Sequence, residues 1–188
     1  MRIALAGWGS DGDLRPMFAV AGGLKRRGHA VRLVTTSVDD TDYSGLATRL
    51  KLDWEAVPVR TGLDFDRLAR EAEGDARRLL EGLLDRGLLP FVSALAATAE
   101  RDCGDCDVVI GHFMAWPWRA VAARVGRPFV SVVPWPGMLP SVDVPPPGFP
   151  TIPGLTGVSW SVVGAVLRWL LGSRAASIWR SVSTGSWR

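Results

Sequence analysis

The chain has 188 residues, of which 47% are apolar and 22% charged, with a formal net charge of +3. That is enough chain for one well-buried α/β domain and too apolar for a wholly disordered protein. The positive charge is almost all Arg scattered through helical stretches, so it forms no nucleic-acid footprint and is read as a solubility feature. The N-terminus enters a strand after two residues, leaving no room for a cleavable signal sequence, which points to a cytoplasmic start.

The apolar run Ile3-Ala4-Leu5-Ala6 reads as a strand that enters a glycine-rich turn, Gly7-Trp8-Gly9-Ser10-Asp11-Gly12-Asp13, and then a helix carrying Pro16 near its start. Met17, Val20, Ala21 and Leu24 recur at the spacing of a helix with one buried face over Leu14 to Arg27, and Gly28 closes it. A second strand, Ala30 to Thr35, follows at once and completes a βαβ unit. His29 in that corner reads as a backbone-bonded residue, since nothing else ionisable clusters with it.

Tyr43 to Leu50 reads as a short helix, and Leu52 to Val59 as a third strand ended by Pro58. Helical periodicity then runs from Asp64 to Arg86 and from Leu88 to Arg101, with Gly87 and Pro90 marking the break. Cys103 and Cys106 supply only two of the four ligands of a structural zinc and sit at the end of a helix. They are read as incidental to function, with no metal site expected. Val108 to Ile110 and Phe129 to Val133 are short apolar strands of the kind buried in parallel sheets, separated by a helix from about Trp118 to Val125. The expected fold is α/β: a doubly wound, five-stranded parallel sheet of Rossmann-like topology.

Prolines and glycines make Pro134 to Pro153 a long loop. Val158 to Leu171 reads as an apolar helix, too short and too interrupted to span a membrane. It leaves peripheral membrane contact open.

Gly7, Gly9 and Gly12 satisfy G-x-G-x-x-G, but the chemistry argues against a dinucleotide. The second strand ends in Thr35-Thr36-Ser37, without the acid that would hold a ribose, and Asp11 and Asp13 place two negative charges where a pyrophosphate would lie.

The segment Gly9-Ser10-Asp11-Gly12-Asp13-Leu14-Arg15-Pro16 resembles the G-S-R-G-D-x-x-P signature that opens the N-terminal, acceptor-binding domain of sterol, macrolide and glycopeptide glycosyltransferases. These belong to the two-domain GT-B type, with the family 28 N-terminal domain and the UDP-glycosyltransferase superfamily. Arg27-Gly28-His29-Ala30-Val31 is similar to that family's A-x-G-H-x-V corner, and Asp107 to Gly111 with Gly126-Arg127-Pro128 to its later strands. The resemblance covers residues 1–180, with 181–188 as a tail or truncated linker and the nucleotide-sugar-binding C-terminal domain absent. It implies an inverting, metal-independent hexosyltransferase acting on a hydroxyl of a sterol, lipid or polyketide-like acceptor. The nucleotide sugar would be a co-substrate held mainly by the missing domain, and no cofactor is implied. On that reading these 188 residues alone carry no transferase turnover.

A hydroxyl is a poor nucleophile, and a carboxylate or imidazole at the tip of the first βα turn can take its proton. Asp13 holds the motif's aspartate position; a helix-capping role is the competing reading. Asp11 stands where the family has Arg, and a second carboxylate beside Asp13 is expected to raise one of the two pKa values. His112, with Phe113 beside it, is a second candidate for base or acceptor contact. Gly9, Ser10 and Gly12 are expected to shape the turn, and Trp8, Trp116, Trp118 and Trp135 to line one sheet edge as a pocket for a flat acceptor. The alternatives are a stand-alone α/β module that binds a hydrophobic small molecule without chemistry, and a nucleotide-binding oxidoreductase domain.

Overall fold

A computed structural model describes residues 1–57, 62–135, 137, 139–146 and 150–165. The chain divides into two compact units, Met1–Pro134 and Trp135–Arg188. The first unit holds five parallel strands: β1 (Arg2–Gly9), β2 (Ala30–Ser37), β3 (Asp53–Ala56), β4 (Val108–His112) and β5 (Phe129–Val132). Their order is β3-β2-β1-β4-β5, so the chain winds outward first on one side of β1 and then on the other. The expected five-stranded doubly wound sheet is the observed one.

The central strand explains the register. Every residue of β1 from Ile3 to Gly9 is buried, and the strand pairs with β2 on one side and β4 on the other. Side chains alternate across a strand, so Ile3 and Leu5 face one layer with Val31 and Leu33 of β2. Onto that face packs α1 (Asp11–Arg26) through Leu14, Met17, Phe18 and Ala21, joined by Tyr43 and by Ala47 of α2 (Ser44–Arg49). Leu5, Leu14, Met17 and Leu33 are fully buried, and each contributes about 1.5–3 kcal/mol of apolar burial. The α1 helix closes with a Schellman turn. Gly28 is at φ +83°, its N–H donates to Lys25 O, and the His29 N–H donates to Leu24 O.

On the opposite face, Trp8, Val34 and Thr36 meet Leu95 of α5 (Val92–Gly104) and Trp118 of α6 (Trp116–Arg124) around a small void. The region between β3 and β4 is more broken than its periodicity predicts. α3 (Phe65–Ala72) is capped by the Asp64 carboxylate, which accepts from Arg67 N, and ends where Glu73 and Gly74 both take positive φ. α4 (Ala76–Gly82) continues into a π-helical turn, Leu83–Leu88, and a 3₁₀ turn, Leu89–Phe91, before α5. The break expected at Gly87 and Pro90 is present; the additional one at Glu73 coincides with Gly74, which the helical periodicity from Asp64 to Arg86 runs across.

Strand β3 is shorter than the expected Leu52 to Val59, and Pro58 lies outside the described residues. In the second unit, the described residues of the Pro134–Pro153 stretch form no strand or α-helix, and residues 156–165 are helical. The remainder of the apolar stretch to Leu171 lies outside the described residues. Among the described residues no helix is long and apolar enough to cross a membrane.

One ion-pair network ties α5 to the edge of the sheet. The Asp102 side chain, only 5% exposed, lies 3.1 Å from Nε of Arg32 on β2 and 3.0 Å from Nε of Arg101. Arg32 also pairs with Asp53 and Glu55 of β3. Removing one partner of a buried pair leaves charge uncompensated, although Arg32 keeps its two other carboxylates. Asp102→Ala is therefore expected to destabilise the fold by about 2–3 kcal/mol, measured as a shift in the urea midpoint without a change in slope.

Candidate functional site

The parallel sheet reverses its winding between β1 and β4, and clefts outside the carboxyl ends of strands at such a point are where doubly wound folds hold ligands. Two side chains from the sequence reading meet there. Asp13 lies in the first turn of α1, directly after β1, and His112 is the last residue of β4. Nε2 of His112 is 3.2 Å from Oδ1 of Asp13, across 99 residues of sequence. The other carboxylate oxygen, Oδ2, accepts the backbone N–H of Ser10 at 3.2 Å. Asp13 thus caps the start of the helix through one carboxylate oxygen while the other faces His112.

The two residues differ in accessibility. The His112 side chain is 1% exposed and the Asp13 side chain 34%. His112 is boxed in by Phe113, with ring centroids 4.5 Å apart, and by Trp8 at 6.4 Å, while the Met114 N–H donates to Nδ1 at 3.3 Å. At this burial, with both ring nitrogens engaged, His112 is closed off from solvent, whereas the Asp13 carboxylate is partly exposed.

Gly9 makes this geometry available. It takes φ +131°, and an added Cβ would lie 2.6 Å from Cβ and Cγ of Asp13. Gly7 is packed as closely, since a Cβ there would meet Leu14 Cδ2 at 2.9 Å. Gly12 differs from the expected turn residue: it is already helical, and a Cβ would find nothing within 4 Å. The turn is tighter than its motif suggests, because β1 runs through Gly9 and α1 starts at Asp11, leaving only Ser10 between them.

Asp11 corrects an expectation. Residues two apart on a helix point to different sides, and Asp11 turns away from Asp13. Its carboxylate accepts from the Tyr43 hydroxyl at 2.7 Å and pairs with Nε of Arg15 at 2.9 Å. The Tyr43 hydrogen bond first, then Arg15, hold Asp11 below the usual carboxylate value, so the rise expected for one of the two carboxylates does not fall on Asp11. Burial, and then the bond to Asp11, push the Tyr43 hydroxyl upward. Tyr43 is the residue the sequence reading missed. Its only signal was a tyrosine at the entry of a short helix, and nothing in the sequence shows that this helix packs beside α1.

The aromatic residues divide. Trp8 is in β1, not in a loop, and is 6% exposed, with its indole N–H donating to Gly87 O of the π-helical turn at 3.1 Å. Trp118 is core. Trp116 is half-buried at the start of α6, and its indole nitrogen has no hydrogen-bond partner among the described residues. Trp135 is exposed and opens the second unit. Of the two aromatic side chains against the His112 ring, Trp8 is buried and Phe113 is exposed.

β2 runs to Ser37, and the first acid beyond it, Asp39, is taken up by the Ser37 hydroxyl at 2.6 Å and the Thr41 N–H at 3.3 Å. The two aspartates remain at the helix N-terminus where a pyrophosphate would sit. The cysteines are both free and buried, and burial pushes the Cys103 thiol up to about 12, far from a reactive thiolate. A cleft of about 540 Å³ opens at the opposite, amino-terminal edge of the sheet. Its Arg32 and Arg101 are paired with Asp53, Glu55 and Asp102.

Neither a family model nor a curated protein sequence matches the chain. Its fold is that of solved glycosyltransferase structures. Arabidopsis thaliana UGT89C1 complexed with UDP-L-rhamnose aligns over 72% of this chain with a TM-score of 0.52 and 16% identity. The Streptomyces sp. SF2575 glycosyltransferase SsfS6 aligns over 70% at 0.50 and 22%. TcCGT1 in complex with UDP aligns over 72% at 0.50 and 16%. The chain spans 34%, 38% and 29% of those structures, respectively. The sheet is therefore a Rossmann-like α/β fold of the kind that forms the N-terminal half of GT-B enzymes.

Two outcomes are expected. Gly9→Ala forces Asp13 out of place and costs about 2–3 kcal/mol through backbone strain and overlap, whereas Gly12→Ala is neutral or stabilising by up to about 1 kcal/mol; thermal unfolding of the two variants separates them. Asp11, held below its ordinary value in the fold, contributes stability that is present above that value and is lost as pH falls through its folded pKa. Tyr43→Phe should raise the Asp11 titration midpoint, followed by carboxyl NMR, and shrink this acid-side loss.

Proposed function

We propose that residues 1–180 form the acceptor-binding half of an inverting, metal-independent glycosyltransferase that moves a hexose from a nucleotide sugar to a hydroxyl of a hydrophobic acceptor. The observation that carries this reading is the Asp13 carboxylate. It is partly exposed at the sheet's switch point and oriented by His112 and Ser10, and among the described residues neither an Arg or Lys nor a second acid pairs with it. The fold shared with glycosyltransferase structures, two of them complexed with UDP or UDP-L-rhamnose, supports the nucleotide-sugar assignment.

On this reading the acceptor hydroxyl donates to Asp13. As its oxygen bonds to the anomeric carbon, the proton passes to the carboxylate, and the carbon–oxygen bond to the diphosphate breaks with the electron pair leaving on the diphosphate. Attack from the face opposite the leaving group inverts the anomeric centre. Phe113 offers an apolar surface to the acceptor. The nucleotide sugar and its leaving diphosphate are held by a second, donor-binding domain or chain, where helix N-terminal amides suit a developing anion.

Asp13→Asn tests the assignment because the amide oxygen still accepts the Ser10 N–H but takes no proton. In the protein working with its donor-binding half, kcat for sugar transfer should fall by about 10²–10⁴-fold while the acceptor KM changes little. Unchanged turnover would remove Asp13 as the base, and acceptor binding without any transfer by the unaltered protein would favour a non-catalytic binding module.

A further inference from the structure

We infer that His112 is a positioning residue for Asp13, locked in its Nε2–H tautomer by the backbone N–H of Met114, and that it does not carry the proton itself. The inference deepens the reading of Asp13 as the base and rests on that reading for its catalytic meaning.

A neutral imidazole has one N–H and one lone pair, and which nitrogen holds the hydrogen is decided by the partners. The Met114 amide can only donate, and it lies 3.3 Å from Nδ1, so Nδ1 must be the accepting nitrogen. The hydrogen then sits on Nε2, 3.2 Å from Oδ1 of Asp13, where it donates to the carboxylate. The other tautomer would turn both contacts repulsive, with N–H facing N–H at Met114 and lone pair facing lone pair at Asp13.

The ring has no freedom to exchange these roles. His112 closes β4 with its Cα in register with Val132 of β5, its carbonyl accepts the Ala115 N–H at 2.7 Å, and Phe113 and Trp8 flank its ring. Relay of the acceptor proton from Asp13 to His112 would need the lone pair on Nε2, which this arrangement places on Nδ1 instead. His112 and the Ser10 N–H each engage one carboxylate oxygen from the protein side. The remaining lone pairs of the 34%-exposed side chain are left for an acceptor hydroxyl. A group that fixes the plane and charge of a base without exchanging protons acts on the rate through geometry.

The test has two arms. Long-range ¹H–¹⁵N NMR of the 188-residue protein should show Nε2 of His112 as the pyrrole-type nitrogen and Nδ1 as the pyridine-type one. The reverse pattern overturns the lock whatever the enzyme does. In the transfer assay, His112→Gln keeps an N–H donor at the Nε2 position and should retain kcat within about tenfold, whereas His112→Asn, too short to reach Asp13, should lose about 10–100-fold with the acceptor KM moving less than kcat. Equal loss in both variants means that a donor at the Nε2 position does not suffice and overturns the positioning role. Full activity of Asp13→Asn alongside the expected NMR pattern would instead defeat the assignment of the base and leave the tautomer standing.

Discussion

The pairing of β1 with neighbours on both of its edges is the constraint on which this molecule depends. Because β1 sits between β2 and β4, the strand has no edge to leave exposed, and its residues from Ile3 to Gly9 are buried by α1 on one face and by α5 and α6 on the other. The same arrangement makes the gap between β1 and β4 the place where successive crossovers part to opposite sides. Whatever follows β1 and whatever ends β4 must meet at that gap. Asp13 and His112 occupy those two positions, and their contact is a consequence of strand order.

Local chemistry then refines what the topology brings together. A helix N-terminus favours acids for dipole and capping reasons, which accounts for both Asp11 and Asp13 without any catalysis. They are separated by their partners. Asp11 is committed to Arg15 and the Tyr43 hydroxyl, both of which stabilise its anion. Asp13 is met by a backbone amide and an imidazole and stays partly exposed. Gly9 is the backbone device that allows this, since its positive φ and missing side chain let the carboxylate fold back over the strand end.

The helical insert between β3 and β4 does more than cover the sheet. Its π-helical turn brings the Gly87 carbonyl onto the indole N–H of Trp8, satisfying a buried donor, and Trp8 in turn flanks the His112 ring. Tryptophan's large apolar body with one polar handle suits that position between core and site. A residue expected to line an open acceptor pocket is thus part of the wall behind the site, and exposed aromatic surface beside the pair comes from Phe113.

The amino-acid sequence by itself determined the alternating strands and helices, the parallel sheet and the glycine-led entry to α1. Those features rest on periodicity and backbone preferences that act over a few residues. It also brought Asp13 and His112 forward separately, each from its position after an apolar strand. Only the tertiary structure decided that they touch, that Asp11 belongs to Tyr43 and that Trp8 is core. Each of these depends on which elements become neighbours across 99, 32 and 79 residues of chain, respectively. The extra break at Glu73 has a local cause, since Gly74 at positive φ ends that helix and stands in the sequence. The π-helical turn does not: at its Gly87, Trp8 and Leu63 stand 3.4 and 3.5 Å from where a Cβ would be, a closeness that helix periodicity does not record and only tertiary packing sets.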